Sequence, residues 1–324
     1  MRRLSLRARG LMVAAFGLLA AAAQDGKKVT WAGQTQLDVP YKKVGNKELR
    51  LDIYFPDENQ PQDAPVLYYV HGGGWAAGSK DKGGLPLMRP VFEIVAEKGF
   101  VCVSIDYRLS KNNGVLMRDC VTDAMDGLRF LRKNADRYGI DPEQIVVWGD
   151  SAGGQLAQML ALADPEKFPG DPSLAGSKVR PVAGISWYGP TDFTDVGLFR
   201  TDASDKRADR FGNRIVGNSK GYAANREAYE EMSPYFWIRK GSPPLLLLQG
   251  DGDTTIPFAH APHLKKKADE IGADLTMVVV KNAGHNWRKA GGSPKPGVQE
   301  IQKITADFAI AQIRNKPSRI PSKK

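Results

Sequence analysis

Gly149-Asp150-Ser151-Ala152-Gly153 lies between an apolar run, Ile145-Val146-Val147-Trp148, and a helix-forming stretch, Gln155 to Ala163. That junction predicts a serine on a sharp strand-to-helix turn, with its hydroxyl held clear of the backbone. Glycines two residues to either side let strand and helix approach without a Cβ clash. The bare pattern G-x-S-x-G also fits ordinary Gly-rich turns. The strand before it and the helix after it give it weight.

A serine hydroxyl becomes nucleophilic only when a base takes its proton. The chain has four histidines. His71 belongs to the run His71-Gly72-Gly73-Gly74-Trp75. His260 and His263 fall in a polar stretch, Phe258 to Ile271, whose pattern predicts a solvated helix face. No cysteine or carboxylate pattern beside them suggests a metal. His285 follows the apolar strand Leu275 to Val280 by a short turn, where its imidazole can reach a neighbouring strand end. A buried carboxylate should fix the tautomer of that imidazole. Leu245 to Leu248 reads as a buried strand, with Asp251 and Asp253 just after it. The order Ser, Asp, His suits a serine on a strand-to-helix turn, and spacing leaves both aspartates open.

Gly72-Gly73-Gly74 follows the apolar strand Val66 to Val70. Acyl transfer passes through an oxyanion that backbone N–H groups must approach closely, which glycines permit. The N–H of Ala152, next to the serine, is the natural partner donor.

Taken together, His71 to Trp75, Asp106-Tyr107-Arg108-Leu109, Gly149 to Gly154, Asp251-Gly252-Asp253 and Gly284-His285 resemble the α/β-hydrolase esterases. They are similar to the hormone-sensitive-lipase-like group, and more narrowly to bifunctional feruloyl and acetylxylan esterases (BD-FAE). Kynurenine formamidase-like proteins are close relatives. The resemblance runs from about Val39 to Ile313. It implies Ser151 as nucleophile, His285 as base, and Gly73, Gly74 and Ala152 as oxyanion donors. It favours Asp253 as the acid, ahead of Ile256-Pro257. Many relatives have His-Gly before the acid, where this chain has Gln249-Gly250; that is not a triad position. The substrate so implied is a short acyl, feruloyl or acetyl ester, small or on a plant polysaccharide. No cofactor or metal is implied.

The formal charge of +10 would suit a polyanionic partner, but its distribution argues against nucleic acid. Four arginines in residues 1–23 and five basic residues in 314–324 carry nine of the ten excess charges. Arg2, Arg3, Arg7 and Arg9 precede an apolar run, Leu11 to Ala23, which ends in Ala21-Ala22-Ala23. That is the pattern of a signal peptide over residues 1–23, implying export to the periplasm or medium. The run is about 13 residues, short of the roughly 20 needed to cross a bilayer, so no membrane span is expected after cleavage. Residues 314–324, with Pro317 and Pro321, read as a disordered basic tail. Export permits a disulfide between Cys102 and Cys120, and two separate buried thiols fit equally.

From 24 to 313 apolar runs alternate with helical patterns. Leu49–Phe55 reads as an early strand paired antiparallel near the sheet edge, followed by Val66–Val70, Phe100–Ile105, Ile145–Trp148, Val182–Trp187, Leu245–Leu248 and Leu275–Val280. Helices are expected near 90–98, 119–138, 258–271 and 298–313. This predicts an α/β fold: a mostly parallel sheet covered by helices on both faces, with the site at the carboxyl ends of its strands. Residues 191–240 break the alternation and read as a cap insertion. Their aromatics, among them Phe193, Phe199, Phe211 and Tyr229, argue against disorder. Trp75 and Tyr188 are candidate substrate-binding walls. An amidase or formamidase would use the same machinery. A peptidase of the prolyl-oligopeptidase kind would need a propeller, and no repeat precedes the site. A non-catalytic binding protein on this scaffold would commonly lack a triad residue.

Overall fold

The apolar runs assemble into one eight-stranded sheet with strand order β1-β2-β4-β3-β5-β6-β7-β8. The strands are β1 (Thr35–Val44), β2 (Lys47–Tyr54), β3 (Ala64–Val70), β4 (Val101–Ile105), β5 (Ile140–Asp150), β6 (Ala183–Trp187), β7 (Leu245–Gly250) and β8 (Leu275–Val280). Pairings β1–β2 and β2–β4 are antiparallel, and the others are parallel. The computed structural model describes residues 31–57, 61–111, 113–177, 180–201, 209–217 and 221–313. All these elements belong to one compact unit, Ala32–Lys324. The signal-peptide and basic-tail expectations, 1–23 and 314–324, lie outside the described residues.

Strands β4, β6 and β7 are buried along their whole length, as a sheet covered on both faces requires. Successive residues of β3 show the two layers. The Tyr68 hydroxyl donates to the carbonyl of Ala124 in the helix Met117–Lys133, at 2.8 Å. The Tyr69 ring lies edge-on to Phe92 of the helix Arg89–Ala96. Side chains of adjacent strand residues point to opposite faces, so these helices cover opposite sides. The helix Ala152–Leu162 is buried throughout and packs on β5, β6 and β3.

Residues 191–240 connect β6 to β7 through short helical turns, including Gly212–Val216, Arg226–Met232 and Pro234–Trp237. Their aromatics pack into a cluster: Phe193 stacks on Phe199, and Phe211 meets both edge-on. The expected helix over 119–138 is divided at Asn134 into Met117–Lys133 and a turn, Ala135–Tyr138. Both cysteines are buried free thiols.

Candidate active site

Ser151 occupies the turn between β5 and the helix Ala152–Leu162 at φ 54°, ψ −120°. For a non-glycine residue this conformation costs on the order of 1–3 kcal/mol and persists only where its surroundings enforce it. The Ser151 N–H donates to the Trp187 carbonyl at 2.8 Å, pinning the turn to the end of β6. The flanking glycines are steric necessities. A Cβ on Gly149 would lie 2.1 Å from the Gly153 carbonyl oxygen, and one on Gly153 would lie 2.0 Å from that of Val70.

His285 arrives from β8, three strands from β5, a gap of about 14 Å at ordinary strand spacing. The loop after β8 spans it. Lys281 and Lys295 exchange backbone hydrogen bonds at 2.7 and 3.0 Å, closing a hairpin-like excursion with His285 in its outer part. Beneath the imidazole sits Tyr188, with ring centroids 4.6 Å apart, and Trp287 packs edge-on against Tyr188. So supported, His285 Nε2 lies 3.0 Å from Ser151 Oγ, and His285 Nδ1 lies 2.8 Å from Asp253 Oδ2. The carboxylate accepts only, so Nδ1–H donates to it and Nε2 presents its lone pair to the serine hydroxyl.

The Asp253 side chain is fully buried. Its Oδ1 accepts from the N–H of Thr255 at 2.8 Å and of Ile256 at 2.9 Å, which orients Oδ2 toward the imidazole. Gln249 donates to the Ile256 carbonyl at 2.9 Å and reaches Asp253 Oδ2 at 3.4 Å, bracing the same loop. Asp251 points elsewhere: its carboxylate, 31% exposed, faces Lys281 at 3.5 Å.

The Gly-rich loop leaves β3 beside Ser151. Gly73 has φ 132° and Gly74 φ 58°. A Cβ on Gly73 would meet the Ala77 carbonyl oxygen at 2.0 Å, and that loop closes by N–H donation from Ala76 and Ala77 to the Gly73 carbonyl. Ala152 is the first residue of its helix, so its N–H has no intrahelical acceptor. Asp150 joins the loop to the serine turn. Its Oδ1 accepts from Gly72 N–H at 2.8 Å and the Tyr69 hydroxyl at 2.6 Å, and Oδ2 takes Lys82 Nζ at 2.5 Å. His71 is stacked on Tyr107 and buried, and burial pulls its pKa down to about 4, so it is neutral at ordinary pH.

A cavity of about 280 Å³ opens over these groups. Ser151, His285, Gly73 and Gly74 line it, with Trp75, Phe211 and Ile256 as apolar walls and Lys82, Asp150, Thr255 and Asn286 as polar ones. Trp75 thus lies where a substrate wall was expected. Tyr188 does not line the cavity: it is buried behind His285, because its place after β6 puts it under the imidazole. Clefts of about 390 and 450 Å³ beside Pro169–Pro172 are larger, yet neither contains a nucleophile beside a base. The expectation for His260 and His263 is corrected. His260 is fully buried against Phe199 and Thr191, with its pKa pulled down to about 3 by burial, and His263 Nε2 pairs with Asp192 at 3.0 Å. Among the described residues no group of His, Cys, Asp and Glu is arranged to hold a metal ion. No helix of the described residues is long and apolar enough to cross a membrane.

A strained serine after a central strand, a histidine from the last strand and a Gly-rich loop beside them are the arrangement of the α/β-hydrolase fold. The chain belongs to the BD-FAE family, whose model matches residues 51–268. It is 33% identical over 227 residues to the probable carboxylic ester hydrolase LipM of Mycobacterium tuberculosis, covering 69% of this chain and 49% of that protein. It is 31% identical over 259 residues to the esterase LipQ of the same organism, covering 79% and 58%. The chain therefore spans about half the length of the curated relatives it matches. Among solved structures, native esterase 2 of Thermogutta terrifontis superposes with a TM-score of 0.68 at 26% identity, covering 89% of this chain and 95% of that one. Its butyrate-bound form gives a TM-score of 0.69 at 27% identity, covering 87% and 96%.

Proposed function

We propose that this protein is a carboxylic ester hydrolase acting by two-step acyl transfer. The observation that carries the proposal is the alignment of Ser151 Oγ, His285 and Asp253 at 3.0 and 2.8 Å. His285 Nε2 takes the Ser151 proton as Oγ attacks the ester carbonyl. The tetrahedral oxyanion is met by the N–H groups of Gly73, Gly74 and Ala152. The imidazolium, balanced by Asp253, protonates the departing alcohol. Water then attacks the acyl-serine, giving its proton to His285 and releasing the acid with return of the proton to Ser151.

The named activities of LipM, LipQ and the Thermogutta esterase support the ester reading. Family membership supports acetyl or feruloyl esters of plant polysaccharide as the finer substrate class. The apolar walls Trp75, Phe211 and Ile256 suit a short acyl group. We also infer export, from the pattern of residues 1–23; mature protein recovered outside the cytoplasm should begin at Gln24.

The test is Ser151→Ala. The variant should fold, fail to label with a fluorophosphonate probe, and lose turnover of p-nitrophenyl acetate to near background. Near-full turnover by that variant rejects the nucleophile. Parallel assays on acetylated xylan and methyl ferulate test the finer substrate.

A further inference from the structure

The wall of the Ser151 cavity holds a cation with donor capacity to spare. Lys82, on the 3-10 turn Lys80–Gly84, brings its ammonium to Asp150, and a quarter of its side chain remains exposed. Asp150 is the side-chain acceptor it meets among the described residues, leaving ammonium hydrogens for a ligand. Asp150 itself is already engaged by Tyr69 and Gly72. Asp253 is buried behind His285 and held by two backbone N–H groups.

Arg214 lies against the Gly-rich loop. Its Nη1 is 3.2 Å from where a Cβ on Gly74 would stand, and that nitrogen is buried with no hydrogen-bond partner. Among the described residues no carboxylate pairs with Arg214. Trp75, Phe211 and Ile256 contribute no charge. A molecule entering the cavity therefore meets the Lys82 ammonium, paired with Asp150 but with hydrogens to spare, and lies near a second cation, Arg214, that no described carboxylate pairs.

We propose that Lys82, reinforced by the charge of Arg214, forms an anion subsite, so that the favoured esters carry a free carboxylate close to the scissile bond. The inference rests on the ester-hydrolase reading and names a substrate class for it. An ammonium-to-carboxylate hydrogen bond is about twice as strong as one between neutral groups, and the partly enclosed cavity weakens its screening. Arg214 acts through its field, since its nearest nitrogen is shielded from contact. The carboxylate can lie on either side of the ester; the alcohol side is the one compatible with an acylated acidic sugar.

The experiment measures kcat/KM by pH-stat at low salt on two matched pairs. Monomethyl succinate against methyl valerate places the charge on the acyl side, and carboxymethyl acetate against propyl acetate places it on the alcohol side. The wild type should favour the charged member in one pair, and that pair locates the subsite. Lys82→Met should lower the charged-to-neutral ratio at least ~10-fold, Lys82→Arg should keep most of it, and added salt should erode it in the wild type. The ratio is the readout because Lys82→Met also unsettles Asp150 and slows every ester. An unchanged ratio in both pairs, even with all four rates reduced together, overturns the subsite and leaves Lys82 as a prop for Asp150. If the wild type turns over none of the four esters, the hydrolase reading fails instead.

Discussion

Replacing Asp253 by Asn tests the site at its least obvious member. The amide keeps the size of the carboxylate, and its oxygen can still accept from Thr255 and Ile256 N–H, at 2.8 and 2.9 Å in the native chain. That forces the NH₂ group into the place of Oδ2, 2.8 Å from His285 Nδ1. Two donors cannot share that contact, so Nδ1 becomes the acceptor and the ring proton moves to Nε2. Nε2 then has no lone pair for the Ser151 proton, although its distance to Oγ is unchanged. The loss in kcat from a wrong tautomer of this kind is about 10⁴-fold, or about 5.5 kcal/mol in the barrier. Asp251→Asn removes only a half-exposed contact to Lys281 and should change kcat by less than about twofold. The assay is steady-state hydrolysis of p-nitrophenyl acetate by both variants, with circular dichroism to establish folding. A larger loss from Asp251→Asn, or a folded Asp253→Asn protein within tenfold of wild type, refutes the reasoning.

Acid should weaken the fold before carboxylates titrate. His71 and His260 have folded pKa values of about 4 and about 3, against roughly 6.5 unfolded. Below the unfolded value the unfolded chain binds protons that the native chain refuses, so stability falls as pH drops from about 6.5 toward those folded values. Between pH 7.5 and 5.0 each histidine should contribute a loss of about 2 kcal/mol, visible as a lower urea midpoint, and His260→Gln should flatten the slope; a midpoint unmoved over that range contradicts the burial argument. Gly153→Ala should destabilise by about 3 kcal/mol or more, because the added methyl meets the Val70 carbonyl at 2.0 Å and backbone must move. Gly297→Ala, with nothing within 4 Å of the added carbon, should stay within about 1 kcal/mol in the same denaturation series.

Strands β3 to β7 were legible because each carries a buried apolar run with turn residues at its ends, and β8 because it is an apolar run, though at the sheet edge it is mostly half-buried. β1 was not. Its sequence, TQLDVPYKKV, is mostly exposed and contains Pro40, which an edge strand tolerates. Lys42 in it is buried and neutralised by Asp123 and Asp126 on the helix Met117–Lys133, a pairing across 81 and 84 residues that no local window contains. The same reason hides the burial of His260. Its helix looks polar by itself, and the residues that cover it, Thr191 and Phe199, come from the β6–β7 connection. Ser151 and His285 could be named from strand ends alone. Choosing Asp253 over Asp251 by geometry needed the three-residue turn that aims one carboxylate inward and leaves the other beside Lys281. Asp150 sits within the G-D-S-A-G signature, yet nothing in the signature tells that it accepts from Gly72, which lies 78 residues earlier.

That last contact has a practical corollary. The hydroxyl-bearing turn and the amide-bearing loop leave different strands, yet a single oxygen of Asp150 clasps the loop, so the two cannot drift independently. Anyone transplanting the glycine run into a related scaffold must carry this aspartate and its lysine clamp along with it, or the graft will arrive with its donors out of alignment.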